Sequence, residues 1–197
     1  MPGVDQLFKL TRLEPENIDY IAYTNGPGSF TGLRIGASTA LGLAKALKIQ
    51  AIPVPSLDAL AYNALEMGSE SWLIPLLDAR RGQVYAAVYK RHEGGYITKK
   101  SEYMAMSVED FMEYLLHEHL EGYSREDSIL FLGDGADENL HEIRKKIPTA
   151  RFAPANNNRL RAASVGMYAI QKIHQGHEFS NKVDIIYVRA PQAVREA

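Results

Sequence analysis

The chain has 197 residues, enough for one ordinary domain or two small ones packed together. Its hydrophobic fraction of 46% and charged fraction of 23% are ordinary for a globular protein and exclude a disordered chain or a coiled coil. A formal net charge of −2 gives no support to nucleic-acid binding through bulk charge, and the absence of cysteine excludes disulfides, thiol nucleophiles and thiolate metal sites.

Nothing in the sequence indicates a membrane segment. No apolar run approaches the roughly 18 residues that a spanning helix needs. The first ten residues, MPGVDQLFKL, lack the basic segment and apolar core of a secretory signal. We therefore expect a cytoplasmic protein.

The first third of the chain predicts alternating helices and strands. A loop at Pro15 and Asn17 separates the first helix from the first strand, and a glycine-rich loop follows that strand. Ser29 and Thr31 are suitable caps for the long helix, and Ser56 for the next one. The predicted elements span, in order, residues 4–10, 18–23, 31–48, 51–54 and 56–67.

Four small residues recur every four positions along the long helix: Gly32, Gly36, Ala40 and Ala44. Glycine inside a helix costs about 0.5–1 kcal/mol against alanine, so this stripe is a poor choice for local stability. It allows another backbone to approach closely, either from the same domain or from a partner. Arg34 is the cation near the start of the helix and is a candidate contact for a phosphate or a partner carboxylate.

The middle of the chain predicts an antiparallel sheet followed by helices. Two β-rich runs over 72–77 and 83–89 are joined by DARRG, which indicates a hairpin. A third run over 97–104 extends the sheet, and Ser107 with Asp110 resembles a capping box. The remaining predicted elements are a helix to about residue 117, a buried strand over 128–132, a helix after GDGADENL, and a last helix over 161–174 that Gly176 ends.

Glycine-rich turns are the candidate ligand sites. GPGSFTG (26–32) lacks the Gly-Lys-Ser/Thr ending of a phosphate-binding loop and the last glycine of a dinucleotide fingerprint, so it is either a structural turn or a ligand contact. Asp78 is suited to a hydrated magnesium ion, and Arg80 and Arg81 to phosphate or carboxylate. Gly133 and Gly135 follow a buried strand, where α/β folds bind nucleotides. A charged turn at DARRG and an ordinary glycine turn at the other two sites are the structural alternatives, and the sequence favours them over ligand binding.

The search for catalytic and metal-binding residues gives none. The six histidines include the pairs His117/His119 and His174/His177, and neither pair matches a zinc pattern or has an evident third ligand. No Ser-His-Asp set, nucleophile elbow or pair of carboxylates at a fixed spacing is present.

Three blocks resemble the TsaB family, also called YeaZ. They are GPGSFTGLRIGASTALGLAKAL (26–47), VPSLDALA (54–61) and LLDARRGQVYAAVY (76–89), and weaker similarity continues in FLGDGA, RAASVGMYA and IYVRAPQA. The resemblance implies an α/β fold of the actin, Hsp70 and sugar-kinase type with two ribonuclease-H-like lobes. We expect the first lobe over 1–68 and the second over 69–197, with the boundary near Ser69.

The resemblance also implies a role. Members are non-catalytic partners of the paralogue TsaD and the ATPase TsaE in adding threonylcarbamoyl to the adenosine beside the tRNA anticodon. This implies no resident cofactor, ATP or ADP with magnesium at most at the interface of the complex, homodimers when alone, and contact with tRNA only through the complex. The partner interface is expected at Gly32, Arg34, Gly36, Ala40 and Ala44. One alternative is a weak nucleotide-binding enzyme, kinase-like or glycoprotease-like, with Asp78, Gly133 and Gly135 as its anchors. Another is direct binding of tRNA, which predicts a steep salt dependence of association and which the acidic charge balance favours least.

One departure from the family pattern concerns the first lobe. Family members begin with a strand of Ile-Asp-Thr type and a β-hairpin, whereas this sequence starts within what corresponds to the first helix. We therefore expect the first lobe to lack three strands. Such a lobe would leave the strand over 18–23 with unpaired backbone and exposed apolar surface.

Overall fold

The computed structural model describes residues 2–66, 72–121 and 128–189. Its helices are α1 Pro2–Thr11, α2 Phe30–Leu47, α3 Ser56–Tyr62, α4 Val108–Glu118, α5 Asp134–Glu138, α6 Leu140–Lys146 and α7 Ala162–His174. Its strands are β1 Tyr20–Gly26, β2 Gln50–Pro55, β3 Trp72–Arg80, β4 Gln83–Ala86, β5 Tyr89–Arg91, β6 Ile97–Lys99, β7 Met104–Ser107, β8 Ile129–Leu132 and β9 Arg151–Phe152.

The first layer is a parallel pair of strands between helices. β1 pairs with β2 from Tyr20 opposite Gln50 to Thr24 opposite Val54. Because successive side chains of a strand point to opposite faces, β1 contributes Tyr23 to a cluster with α2 and Ala22 to a cluster with α7. The helices α2 and α7 thus cover the two faces of this pair.

The free edge of β1 borders an open groove. Within the described residues β1 pairs with β2 alone, so its other edge is unpaired. The groove beside it has a volume of about 830 Å³ and lies between α2 and α7, where Gly36 and Ile170 line it. This agrees with the expected exposure of the strand, and Ile170 remains 54% exposed.

The second sheet is built around β3. The segments β4 and β5 lie along one side of β3 as antiparallel partners, and β7 and β6 extend the sheet beyond them. On the other side β8 runs parallel to β3, and β9 runs parallel to β8. Because β3 and β8 are parallel, the turn after β3 and the turn after β8 lie at the same end of the sheet.

Both faces of this sheet are buried. Phe131 of β8 packs with Phe111 of α4 in one core cluster, and Leu130 packs with Leu60 of α3 in another. Strands covered on both faces are expected to be continuously apolar, and the residues ILFL of β8 are all buried. The helix α3 also touches α7, so it connects the two sheets.

Most predicted elements are confirmed to within a few residues, but the single run predicted over 97–104 is two separate strands, β6 and β7. Ser29 caps α2 by accepting a hydrogen bond from the Gly32 amide at 3.3 Å, and Ser107 caps α4 through the Asp110 amide at 3.1 Å. The predicted cap at Ser56 is wrong: Ser56 is the first residue of α3, the cap position belongs to Pro55, and α3 ends at Tyr62. The lobe boundary near Ser69 lies outside the described residues and stays a prediction.

Candidate functional site at the cleft between the sheets

A cleft of about 630 Å³ opens between the end of β1 and the turn after β3. Loop and helix residues from the first layer form one wall, and the β3–β4 hairpin forms the other. Residues 186–189 of the C-terminal segment close the third side. A cleft of this volume is in the range of small-ligand sites.

The β3–β4 hairpin brings two arginines to the cleft in an unusual conformation. Arg80 has φ +65° and Arg81 has φ +59°, followed by Gly82 at φ +69°. Arg80 pairs with Gln83, so Arg81 and Gly82 form the two-residue turn that requires positive φ at both positions. The predicted hairpin is confirmed, and both arginines line the cleft.

Asp78 is used to build this hairpin. One carboxylate oxygen accepts the Arg80 amide at 2.7 Å, and the other meets the Arg80 guanidinium at 3.0 Å. The Asp78 amide in turn donates to Asp134 Oδ1 at 2.9 Å. Asp78 reaches the cleft with its carboxylate already bound, so a charged structural turn explains it without a ligand.

The turn after β8 packs against β3. Gly133 has φ +102°, and a Cβ there would collide with the Leu76 carbonyl oxygen; a Cβ on Gly135 would lie 3.1 Å from the same backbone. The Gly133 amide donates to Asn158 Oδ1 and the Gly135 amide to Asp134 Oδ1. These glycines are explained by close backbone packing, and their amides are engaged within the chain.

The C-terminal segment links the two walls of the cleft. The Ile186 amide donates to the Asn25 carbonyl oxygen at 2.8 Å, and Arg189 donates to the Ala79 carbonyl oxygen at 2.8 Å. A Cβ on Gly26 would lie 2.6 Å from the Ile186 carbonyl oxygen. Gly26 therefore allows this segment to lie directly against the end of β1.

An aromatic cluster lies at the mouth of the cleft. The rings of Phe30 and Tyr187 have centroids 5.5 Å apart, and the Arg34 guanidinium lies 4.0 Å from the Phe30 centroid. Arg34 also donates to the Tyr187 hydroxyl at 3.1 Å. Arg34 is thus oriented by two aromatic side chains at the start of α2.

The residues of the predicted partner interface do not share one face of α2. Ala40 and Ala44 are 6% and 0% exposed and pack on the β1–β2 pair, so the prediction that they face a partner is wrong. Gly32 and Gly36 are exposed and line the groove beside β1. Arg34 lies on the other side, toward Tyr187. The alanines of the stripe are small because they pack on the β1–β2 strands. Within the stripe, only Gly32 and Gly36 are open to a partner.

A buried carboxylate that the sequence analysis missed lies behind the cleft. Asp58, in the first turn of α3, accepts hydrogen bonds from Tyr89 and from Tyr103 at 2.8 Å, and its charge also acts on the Tyr168 hydroxyl. Burial, and then the Asp58 charge, raise the pKa of Tyr89 well above its ordinary value and that of Tyr62 to about 12. The same causes raise the pKa of Tyr103 and Tyr168.

The histidine pairs have local partners. His119 Nε2 lies 3.1 Å from the Tyr114 hydroxyl, and burial, then Lys100, lower its pKa although Glu118 opposes this. His117 Nδ1 lies 2.8 Å from Glu118. Within residues 2–66, 72–121 and 128–189, no three histidine or acidic side chains are grouped to hold a metal ion. No helix in the same ranges is long and apolar enough to cross a membrane.

The cleft therefore brings together residues that are distant in sequence. Of the predicted site residues, Asp78 and Gly32 line it, Gly133 and Gly135 lie behind it, and Gly36 faces the groove instead. Sequence reasoning missed Tyr187 and Arg189 as cleft residues. The only available signal was the weak block IYVRAPQA, which carries no periodic pattern.

This arrangement, a two-stranded parallel layer and a seven-stranded mixed sheet with a cleft between them, defines a two-sheet α/β protein. The structure superposes with a TM-score of 0.75 on a Pseudomonas aeruginosa protein described as similar to peptidase YeaZ, with 21% identity over 95% of this chain and 82% of that one. YeaZ from the same organism gives a TM-score of 0.75 with 20% identity over 94% of this chain and 82% of that chain. The predicted fold class is confirmed.

The sequence comparisons identify the family. Residues 1–169 match the family model described as TsaD, tRNA N6-adenosine threonylcarbamoyltransferase, and the chain belongs to that family, on its TsaB (YeaZ) branch. It is 33% identical over 142 residues to the tRNA threonylcarbamoyladenosine biosynthesis protein TsaB of Bacillus subtilis, covering 72% of this chain and 57% of that relative. The Escherichia coli TsaB is 37% identical over 95 residues, covering 48% and 41%. The chain thus spans about half the length of these relatives.

Proposed function

We propose that the chain is a cytoplasmic, non-catalytic subunit of the machinery that adds threonylcarbamoyl to the adenosine beside the tRNA anticodon. It pairs with the TsaD paralogue, works with the TsaE ATPase and forms a homodimer when alone. The observation that carries the proposal is the family match over residues 1–169 together with relatives named TsaB. The cleft adds support, because its carboxylates and glycine amides are engaged in building turns.

The role itself is tested in a bacterial strain depleted of its own TsaB. Expression of this chain should restore threonylcarbamoyladenosine in tRNA, measured by mass spectrometry of digested nucleosides. Expression of the B. subtilis relative serves as the positive control. If the relative restores the nucleoside and this chain, present as folded protein, does not, the proposed role is wrong.

The partner is proposed to dock on the groove side of α2. Gly32 and Gly36 are exposed there, and a Cβ at Gly36 would meet no atom within 4 Å. Across the groove α7 presents Ile170, which is 54% exposed. Exposed apolar side chains beside a surface without side chains favour a closely packed helix or strand from a partner.

Leucine at Gly36 tests this interface. The new side chain would fill the space that a partner backbone needs, so we expect at least tenfold weaker binding to the TsaD paralogue by calorimetry, about 1.4 kcal/mol or more. Leucine is a better helix former than glycine, so α2 itself should not be destabilised.

Gly42→Leu is the matched control for this variant. Gly42 is also exposed with open space around it, and it lies about 120° around α2 from Gly36. Binding should be unchanged in this variant. Equal binding by folded Gly36→Leu and wild-type protein would remove the groove side of α2 from the interface.

A further inference from the structure

Two adjacent arginines at the β3–β4 turn, Arg80 before it and Arg81 in it, have left-handed backbone conformation, which destabilises the hairpin. Residues with a Cβ rarely adopt φ near +60°, and asparagine, aspartate and glycine are the usual choices there. Arg80 and Arg81 both adopt it, at a cost of the order of 1 kcal/mol each. Asn-Gly at positions 81 and 82, with asparagine at position 80, would build the same hairpin with less strain, so the two guanidinium groups point to a use outside the hairpin.

The two side chains lie where a ligand can reach them. Arg80 is 86% exposed in its ion pair with Asp78, and exposed pairs of this kind contribute about 0–1 kcal/mol, so it exchanges partners readily. Arg81 is exposed and forms no hydrogen bond or ion pair with the described part of the chain. Arg189 adds a third guanidinium to the same cleft.

The negative charges of the cleft are already satisfied. Asp134 accepts two backbone amides through one oxygen, and Asp78 accepts the Arg80 backbone amide, a bond that remains when the Arg80 guanidinium turns to a ligand. The lining carries a formal charge of +1, because it contains three arginines and two aspartates: Arg80, Arg81, Arg189, Asp78 and Asp134. The whole chain carries −2. The cleft is therefore a local basic site on a slightly acidic protein.

Aromatic side chains flank these cations. Phe30, Tyr85 and Tyr187 line the cleft, with Phe30 and Tyr187 side by side and 37% and 43% exposed. Single-stranded RNA is recognised by unstacked bases on aromatic rings and arginine planes while cations contact the phosphates. A cleft of about 630 Å³ accommodates such a unit.

We propose that this cleft binds single-stranded RNA, with Arg80 and Arg81 on consecutive phosphates and the Phe30–Tyr187 pair as a platform for a base. The inference rests on the proposed function, which supplies tRNA as the RNA in question.

The test replaces both arginines by asparagine, the residue that tolerates left-handed backbone. Binding of the full chain to a fluorescein-labelled anticodon stem–loop RNA is followed by fluorescence anisotropy against salt concentration. Loss of two phosphate contacts should reduce the slope of log K against log salt by about 1.4 and weaken binding roughly 25-fold at 0.1 M salt. The melting temperature should be unchanged or higher, which separates binding from folding.

Lys9→Gln with Lys145→Gln is the matched control. It removes the same charge from exposed positions on α1 and α6, away from the cleft, and should leave the slope unchanged. Equal RNA binding by wild-type and Arg80→Asn/Arg81→Asn protein would overturn the proposal, as would no binding by the wild type. Loss of ATP binding or of TsaD binding in that variant, with RNA binding intact, would also overturn it.

Failure of this inference is distinguishable from failure of the proposed function. Restoration of threonylcarbamoyladenosine by the wild-type chain tests the function without reference to Arg80 or Arg81. If the wild type restores the nucleoside and its double variant binds RNA normally, the role stands and the RNA site is wrong. If the wild type binds RNA through these arginines but restores nothing, the RNA site stands and the role is wrong.

Discussion

Asp58 stabilises the join between α3, the second sheet and α7. The residue is 8% exposed, its hydrogen-bond donors Tyr89 and Tyr103 come from two different segments, and its charge also acts on Tyr168 of α7. The start of α3 also favours a negative charge, because the first turn of a helix carries the positive end of its dipole. One acidic side chain therefore connects four parts of the chain.

Replacing Asp58 by asparagine tests this connection. Tyr89 and Tyr103 both donate to Oδ1 of Asp58, so asparagine replaces a charged acceptor by a neutral amide oxygen and adds a buried NH2 donor beside the tyrosine hydroxyls. We expect the free energy of unfolding, from urea denaturation, to fall by about 1–3 kcal/mol. The exposed Asp19→Asn variant should change it by less than about 0.5 kcal/mol. Equal stability of the two variants would contradict the role given to Asp58.

Asp58 also shows what local sequence cannot reveal. The pattern VPSLDALA contains no feature that distinguishes a buried aspartate from an exposed one. Its partners stand 31 and 45 residues away at Tyr89 and Tyr103, and further still at Tyr168. Only the packing of distant segments determines whether that charge is buried.

Elements with strong local signals were predicted closely. The helix α2 begins and ends within a residue of its predicted bounds, because a serine cap precedes an apolar periodic face. The β3–β4 hairpin follows from its turn residues. The meaning of GDG was beyond sequence reasoning, because a glycine needed for ligand approach and one needed for backbone packing look the same. The structure favours packing, since Leu76 lies directly beneath Gly133.

Alanine at Gly133 therefore tests the packing of that turn. At φ +102° the new methyl group would collide with the Leu76 carbonyl oxygen, and backbone atoms of a buried strand cannot move away. We expect a loss of at least about 4 kcal/mol in the free energy of unfolding. Gly82 also has positive φ but has open space around it, so Gly82→Ala measures the backbone strain without a collision. Its free energy of unfolding should fall by only about 1 kcal/mol. Similar losses in the two variants would show that the collision with Leu76 is relieved.

At the scale of the whole molecule, the two sheets were predicted with different success. The second sheet has internal hairpins and a core on both faces, so alternation and turn residues predict it. The first layer is a pair of strands whose exposed edge was expected only from the family resemblance. The cleft between them depends on the C-terminal segment, which has no regular pattern and was not predicted to line a site.

The tyrosines around Asp58 give the folded molecule a distinctive alkaline response. In the unfolded chain each tyrosine has its ordinary pKa near 10, whereas Tyr62 has a pKa of about 12 in the folded state and Tyr89 a pKa well above 10. As pH rises above about 10, the unfolded chain loses these protons first and so binds fewer than the folded chain. Stability that is fully present below pH 10 is then lost as pH rises.

Urea denaturation between about pH 8 and 11 measures this response. The free energy of unfolding should be nearly level up to about pH 9.5 and then fall, each raised tyrosine contributing a slope of up to about 1.4 kcal/mol per pH unit. Tyr62→Phe removes one of these groups, so its curve should fall less steeply, even though it starts lower through loss of the hydrogen bond to Gln171. Parallel curves for this variant and the wild type would mean that Tyr62 titrates alike in the folded and unfolded chains, and that Asp58 and burial do not hold its proton.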